Sequence, residues 1–577
     1  MEQENKQKVR KEKQTMEIPA FLSDIGSWIS CYWLDVLKWT GIVLSIVLSI
    51  ALVVLFFVCL IGRESDPNFM KPKYKIESIK DWEKLDGEGL ITYREIVLMT
   101  DLDFAGKEYK SPTVGDAVFN GNGHTIKNVS LDAGEKLLGS RNEIKDINFE
   151  NVTLESYNKD ENISLFYSSP VYKNVSISGE IYAPYSNSVG VFLSNYWISN
   201  DRDDEKIKFI NCSTNVEIVG GKIAGGFIGW GIGNFEFKNC ENNGEISAKN
   251  YAGGFIGKVM EYEENKYIYS GSSLSLKKCT NNADISSKQC AGGIAGYSQK
   301  TIYVSCENNG TVKGTHNVGG LVGRLSGEIQ YAVNNGTIIA TEAIDGNPIN
   351  LGGIVGYETE KSVIVDCTNN GELNNAFHIT GGIVGNCYGT VAGCVNKGTI
   401  NAGTCAGGIV GYVGDIIDVW SIQKITVRIA HCTNEAPVNA SAFAGGIVGI
   451  VDLNKADKAT QDAAWMVTTF VDDFVDLNNK ISLIDINIKD YLSGIYEVTN
   501  DIFKLLTRAT KLDLSYCVSS GDVDADYYAA GLIGIMFASS VESEEMATNS
   551  FDASVNCPNV SSDGYNYVDA ADISKLK

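Results

Sequence analysis

The phrase Ala-Gly-Gly-Φ-Φ-Gly, where Φ is apolar, keeps returning along this chain and limits its fold more than any other feature. It is clearest at residues 252–257 and 406–411. Nine copies can be laid on one another, starting at Ala224, Ala252, Ala291, Val318, Leu351, Thr380, Ala406, Ala444 and Ala529, the last with Ala530 in place of the first glycine. A second phrase, Cys-x-Asn-Asn-Gly, runs ahead of it at Cys240, Cys306 and Cys367. From the cysteine to the first glycine is 13 residues in most copies, as from Cys240 to Gly253, and 14 from Cys367 to Gly381. The copy with Ala332 in the cysteine place is 20 residues from Gly352 and carries an insertion around 342–348. From the last glycine to the next cysteine the interval is 9 to 11 in compact copies, but 22 after Gly257, 21 after Gly411 and 68 after Gly449. The shortest repeats are therefore 26 to 28 residues, and most insertions leave at one corner.

A repeat of this length, rich in Gly, Asn and Ile/Val and poor in Pro, points to a solenoid. Its apolar runs, such as Ile354-Val355 and Ile383-Val384, are too short for helices and read as strands. Three short strands and three turns fit one coil of a parallel β-helix, with glycines at tight corners. Stacked coils would place Asn over Asn, in hydrogen-bonded ladders, and Cys over Cys, a small apolar filler. The fold class expected is all-β, a parallel β-helix solenoid.

The phrase resembles the GLUG motif of bacterial surface and secreted proteins, including IgA-protease-like and filamentous-haemagglutinin-like proteins. The run Phe119–Val129 (FNGNGHTIKNV), preceded by Leu98–Phe104 (LMTDLDF), is similar to the opening coil of such proteins. The match covers roughly residues 76–535. The resemblance implies a surface location and a right-handed winding, which is also the general hand of parallel crossovers. It brings no catalytic residues with it.

A net charge of −23 argues against a nucleic-acid partner. The four histidines, His124, His316, His378 and His431, sit in no metal-ligand spacing, and no cofactor is expected. Of fourteen cysteines, eight belong to the repeat: Cys212, Cys240, Cys279, Cys306, Cys367, Cys394, Cys432 and Cys517. In-register stacking sets neighbouring Cβ atoms ~4.8 Å apart, beyond the ~3.8 Å of a relaxed disulfide, so these thiols are expected free and buried. Buried thiols also suit a cytoplasmic protein, in tension with a surface location.

In chain order, residues 1–40 read as a cytoplasmic and interfacial segment, with Trp28, Trp33 and Trp39 in an amphipathic stretch or the extended start of an export signal. Residues 41–61 carry no charge and are long enough to span a bilayer core of about 30 Å. Leu60-Ile61-Gly62 is a poor cleavage site, so an uncleaved single-pass anchor is expected. Basic residues nearly balance across it, and the extracellular placement of the C-terminal domain comes from the resemblance. Residues 62–74 form a linker. Residues 75–206 form an N-terminal cap and irregular coils, the cap a short helix marked by Ile76, Ile79, Trp82 and Leu85. Residues 207–449 are the regular coils. Residues 450–511 switch to a heptad seam, through Phe474, Leu477, Ile481 and Ile484, and read as a long helical insertion, one helix or a hairpin. Residues 512–577 form the last coil and C-terminal cap.

Three functions from different classes fit. The leading one is a membrane-anchored cell-surface protein binding a glycan, host protein or envelope component at the insertion corner, without catalysis. The second is a carbohydrate-active enzyme, with carboxylates drawn from Asp201, Asp203, Asp204 and Glu205, from Glu261, Glu263 and Glu264, or from Asp415 and Asp418. The third is a membrane-complex component that docks or self-associates through 453–509. Asp522, Asp524 and Asp526 have a calcium-loop look, but Tyr527 stands where such a loop needs glycine. They read as a solvated face with Val523 pointing inward. The tail 563–573 faintly resembles half a dockerin calcium loop, with spacing two residues too long.

Overall fold

A computed structural model describes residues 32–33, 35–56, 72–86, 93–112, 114–197, 206–260, 263–264, 267–268, 274–341, 349–359, 361–375, 378–413, 425–453, 510–525, 528–538, 550–555 and 560–562. The chain divides into two compact units, 1–72 with 92–94, and 73–91 with 95–577. The first holds helix α1 (Asp35–Phe56), 22 residues long and apolar enough to cross a membrane. Its side chains are exposed, from Trp39 at 68% to Phe56 at 61%. The hydroxyls of Thr40, Ser45 and Ser49 donate back to the helix's own carbonyls, Leu37, Ile42 and Ser45, at 2.7–2.9 Å. They therefore present no unpaired donor to a hydrocarbon surround. Helix α1 runs straight through the boundary expected at residue 41, because Val36, Leu37 and Trp39 carry the apolar pattern back to Asp35.

The second unit is built of parallel coils. One coil, taken between two phrases, contains β1 (Val384–Cys387), β2 (Thr390–Ala392), β3 (Val395–Asn396), β4 (Ile400–Ala402) and β5 (Cys405–Gly407). Each pairs in parallel with its counterpart one coil on: Val384 with Val410, Val391 with Ile429, Asn396 with Asn434, Ile400 with Val438, and Ala406 with Ala444. Strands equivalent to β1–β4 form one 42-stranded sheet that bends round the coil, and those equivalent to β5 form an 11-stranded sheet. The coil is thus five short strands rather than three.

Two sharp features fix this path. The residue before each repeat cysteine has positive φ: Asn211, Asn239, Lys278, Ser305, Asp366 and His431 lie at 52–54° and Gly393 at 64°. One left-handed residue turns the chain from β2 to β3. The first asparagine of the Cys-x-Asn phrase then points inward and is wholly buried. Asn281 Nδ2 donates to Asn308 Oδ1 at 2.8 Å, and Asn308 to Asn334, Asn334 to Asn369 and Asn369 to Asn396 at 2.8–2.9 Å. Each amide also closes its own turn, as in Asn308 Nδ2 to Gly310 O at 2.8 Å. The second glycine of the Gly-Gly pair lies against this ladder: a Cβ on Gly254 would sit 2.5 Å from Asn281 Oδ1. The two phrases recur together because they meet at the waist of the coil.

On one side of that waist, branched and small residues pack between β4- and β5-type strands, including Val312, Ile338, Leu373, Ile400, Ala406 and Ala444. On the other, aromatics stack coil on coil. Phe166–Phe192, Phe192–Phe227 and Phe227–Phe255 have centroids 5.2, 5.1 and 4.8 Å apart. The stack runs back into the irregular coils, where Val189 pairs with Ala224. The early end is filled by Trp82 of α2 (Ile79–Glu83), 1% exposed, packed on Phe104, Tyr109 and Phe119 and bonded through Nε1 to Lys110 O at 3.0 Å. Ile76, expected on this helix, instead ends the strand Lys73–Ile76, which pairs with Glu95–Leu98. Ser78 interrupts the pattern as N-cap, taking the Asp81 N–H.

Candidate ligand-binding furrow

After the phrase the chain turns back over the outer face of the 11-stranded sheet. Its third glycine permits this: a Cβ on Gly449 would lie 2.5 Å from Cys405 Sγ, and one on Gly257 2.6 Å from Ile223 Cγ2. The next residue on each β1-type strand therefore faces outward in a concave corner. In register these are Trp230, Lys258 and Tyr297, then Arg324, Tyr357, Asn386 and Tyr412. The facing ladder is Tyr251, Cys290, Asn317, Asn350, Ile379 and Cys405. Neither ladder contains an acidic residue.

Cations and rings alternate in this corner. Lys258 Nζ lies 4.5 Å from the centre of the Tyr251 ring and 5.6 Å from that of Tyr297. The Arg324 guanidinium lies 5.4 Å from Tyr297 and 5.0 Å from Tyr357. Burial, with Arg324 nearby, lowers the pKa of the Lys258 ammonium, and burial raises that of the Tyr251 phenol. Asn350 Nδ2 donates to Asn317 Oδ1 at 2.9 Å, and Asn317 Nδ2 to Cys290 Sγ at 3.7 Å. Among the described residues some buried polar atoms here find no partner: Trp230 Nε1 at one end, Asn350 Oδ1, and both amide atoms of Asn386, which is 0% exposed. An unpaired buried polar atom costs on the order of 1–3 kcal/mol, so these atoms are hydrogen-bonding capacity left unused among the described residues.

A second outer face carries acid. Glu180, Glu217, Glu245 and Asp284 succeed one another on neighbouring coils, about 4.8 Å per step. The last three line a shallow hollow of about 200 Å³ with Ser247, Ser286 and Lys313. All four are exposed. Glycosidase chemistry needs one carboxyl kept protonated and another ionised by different surroundings, and these four share one environment.

Inside the solenoid, Cys387 Sγ donates to Glu358 Oε2 at 2.9 Å, and the Gly389 N–H reaches the same oxygen at 3.3 Å. Glu358 is 0% exposed, and burial pushes its carboxyl up to about 8 despite those bonds. The repeat cysteines are free and buried, and burial raises the thiols of Cys212, Cys279 and Cys394 well above the ordinary range. Their Sγ atoms point at carbonyls of the preceding coil, as in Cys240 to Phe209 O at 3.4 Å.

Of the carboxylates expected from the insertions, only Glu263 and Glu264 fall among the described residues. Asp201, Asp203, Asp204, Glu205, Glu261, Asp415 and Asp418 lie outside the described residues, as do 454–509, with the helical insertion, and the tail 563–577. Glu263 and Glu264 form one arm of a two-stranded antiparallel ribbon with Tyr267–Ile268. The segments 261–273, 414–424 and 454–509 all leave after a β1-type strand and return before a β2-type strand, at one corner. The insertion at 342–348 leaves instead between β4- and β5-type strands. Asp522 and Asp524 are exposed around Val523, which is 1% exposed. Among the described residues no three or more His, Cys, Asp or Glu side chains converge on a metal-sized site. The furrow escaped sequence reading because its ladder position holds Lys, Tyr, Arg, Asn and Trp by turns, with no repeated letter.

These features define a parallel β-solenoid preceded by one apolar helix. No protein-family model, curated protein or solved structure matches the chain.

Proposed function

We propose that the chain is a membrane-anchored cell-surface protein of the GLUG-repeat kind, acting in adhesion or ligand binding without catalysis. In this reading α1 is the anchor and the right-handed solenoid lies outside the cell, with its C-terminal domain extracellular. One observation carries the binding reading: the furrow repeats outward-facing donors and rings coil after coil on a rigid frame. A preformed row of groups binds with little ordering cost. The test is protease treatment of intact cells, with antibody against the repeats and a lysed control. Disappearance of the repeats from intact cells is expected, and their loss only after lysis would reverse the topology.

A second reading, a carbohydrate-active enzyme, draws on the hollow beside Glu217 and Glu245. Its acidic residues stand on neighbouring coils about 4.8 Å apart along the backbone, and retaining glycosidases need carboxyls ~5–5.5 Å apart. Hydrolysis of a polysaccharide that is abolished by Glu217→Gln or Glu245→Gln would replace the first reading with this one. The expected result is no hydrolysis by either form.

A further inference from the structure

Charge on the solenoid is sorted by face in the coils that follow the cap. Four successive β2-type strands, beginning at Val171, Lys206, Asn234 and Leu274, turn every second side chain outward. With the corner residue Lys278, they carry six exposed lysines, Lys173, Lys206, Lys208, Lys238, Lys277 and Lys278, and one outward acid, the half-buried Glu236. Lys173 and Lys238 flank Ile210 in register, and Lys277 follows Lys238. None of the six forms an ion pair with a described carboxylate, whereas Lys145 on the coil before meets Glu143 at 3.5 Å. The same coils carry Glu180, Glu217, Glu245 and Asp284 at the start of their β4-type strands, on a different face. In a chain of net charge −23, this sorting sets a basic face apart. On the next coil Ile302, 45% exposed, stands beside Ser275, and Val304 beside Lys277. Lysines bordered by an exposed aliphatic side chain suit a lipid headgroup layer, which takes up cations and shallow apolar groups together. All six cations are lysine, a hydrated point charge on a flexible stem, which fits a fluid layer of phosphates better than recognition of one fixed anion.

Proximity comes from the chain itself. Only residues 57–72 separate α1 from the strand Lys73–Ile76, a length that reaches at most about 55 Å. The lysine strands begin four coil steps after that strand and end seven steps after it, roughly 20–35 Å along the stack. With α1 as the anchor, a reading on which this step rests, the bilayer stays at high local concentration. Contacts too weak to hold a free domain then suffice.

We propose that this lysine face docks on the anionic headgroups of the bilayer that holds α1, laying the early coils against the membrane.

The test places the full chain, with its acidic run at 201–205, in nanodiscs of phosphatidylcholine alone or with phosphatidylglycerol. Acylation of individual lysines by an N-hydroxysuccinimide ester is followed by mass spectrometry. With phosphatidylglycerol, Lys173, Lys208, Lys238 and Lys277 should react at least threefold more slowly. Lys249, a cation over Tyr185 on another face, should react at an unchanged rate. Salt at about 0.5 M should remove the difference. Combining Lys173→Gln, Lys238→Gln and Lys277→Gln should abolish the protection of Lys208, whereas Lys173→Arg, Lys238→Arg and Lys277→Arg together should keep it. Melting curves identify a variant that fails to fold, and the salt and lipid results on the parent then decide. Equal rates in both discs, or protection that survives salt, overturns the proposal. Equal protection by soluble polyphosphate added to phosphatidylcholine discs also overturns it, and assigns the face to a free polyanion. If the chain stays in the discs through any of these results, only the docking falls. A chain that does not stay in the discs overturns the anchor reading and the docking with it.

Discussion

Asn281 shows how one buried side chain sets the price of a rung. It accepts from Asn242 at 2.7 Å, donates to Asn308 at 2.8 Å and closes its own turn on Ala283 O at 2.7 Å. Asn281→Ala should cost about 2–4 kcal/mol, because it opens a cavity and strands Asn308 Oδ1 without its donor. Asn282→Ala, on the exposed ladder beside it, should cost less than about 1 kcal/mol, since water replaces the lost bonds. Denaturant titration of both variants checks the contrast. At the corner, Lys278 holds φ 54° where a side chain is strained. Lys278→Gly should stabilise by about 0.5–1 kcal/mol, whereas Asn239→Gly should be near neutral, because asparagine tolerates that conformation. Glu358 gives a pH signature. Its folded pKa, near 8, lies above the ordinary 4.5, so the folded state holds a proton that the unfolded state releases. The protein should therefore lose stability as pH rises from about 4.5 to 8, by on the order of 1.4 kcal/mol per unit at most. Glu358→Gln should flatten that slope, leaving the variant more stable than the parent at pH 7.5 and equal to it or less stable at pH 4. A parallel pH dependence in both would place the titration elsewhere.

At the scale of the element, the coil is the unit because every strand pairs with its counterpart one period away. Thr280 pairs with Glu307, Ile285 with Val312 and Ala291 with Val318. Deleting 280–306 removes one whole period and brings Cys279 next to Glu307 in register. Nearest-neighbour stacking predicts a shorter solenoid that still melts cooperatively. Deleting 280–292 removes half a period and with it one coil's β3-, β4- and β5-type strands, so a β1-type strand follows directly where a β3-type strand should stand, and apolar side chains fall on the wrong side. That variant should lose its cooperative melt, as circular dichroism would show. The 26 to 28-residue spacing made this period legible in the sequence. The number of strands per coil was not legible, because pieces as short as Val395-Asn396 carry no periodicity of their own.

At the scale of the whole chain, the two units divide the physical work. Helix α1 presents apolar side chains around its whole circumference, while the solenoid buries its apolar ladders inside and covers its faces with Asn, Lys, Glu and Asp. A chain starting at residue 62 should move from the membrane fraction to the soluble one with an unchanged melting temperature. A lowered melt would show that the solenoid depends on the removed segment. The high negative charge keeps such a solenoid soluble and makes the cationic furrow conspicuous.

The sequence by itself determined the repeat, its length, its parallel strands, the stacked asparagine and cysteine ladders, and an apolar helix long enough to span a bilayer. Each of these is written as a recurring residue type, since in-register stacking repeats the same burial and the same hydrogen bonds at every coil. Only the tertiary structure decided the left-handed corner before each cysteine, where Asn, Lys, Ser, Asp, Gly and His all serve, because a backbone angle leaves no consistent letter. It alone also brought Lys258, Tyr297, Arg324 and Tyr357 into one furrow and Glu358 against Cys387. Those residues lie about a period apart in the chain and become neighbours because the coils stack.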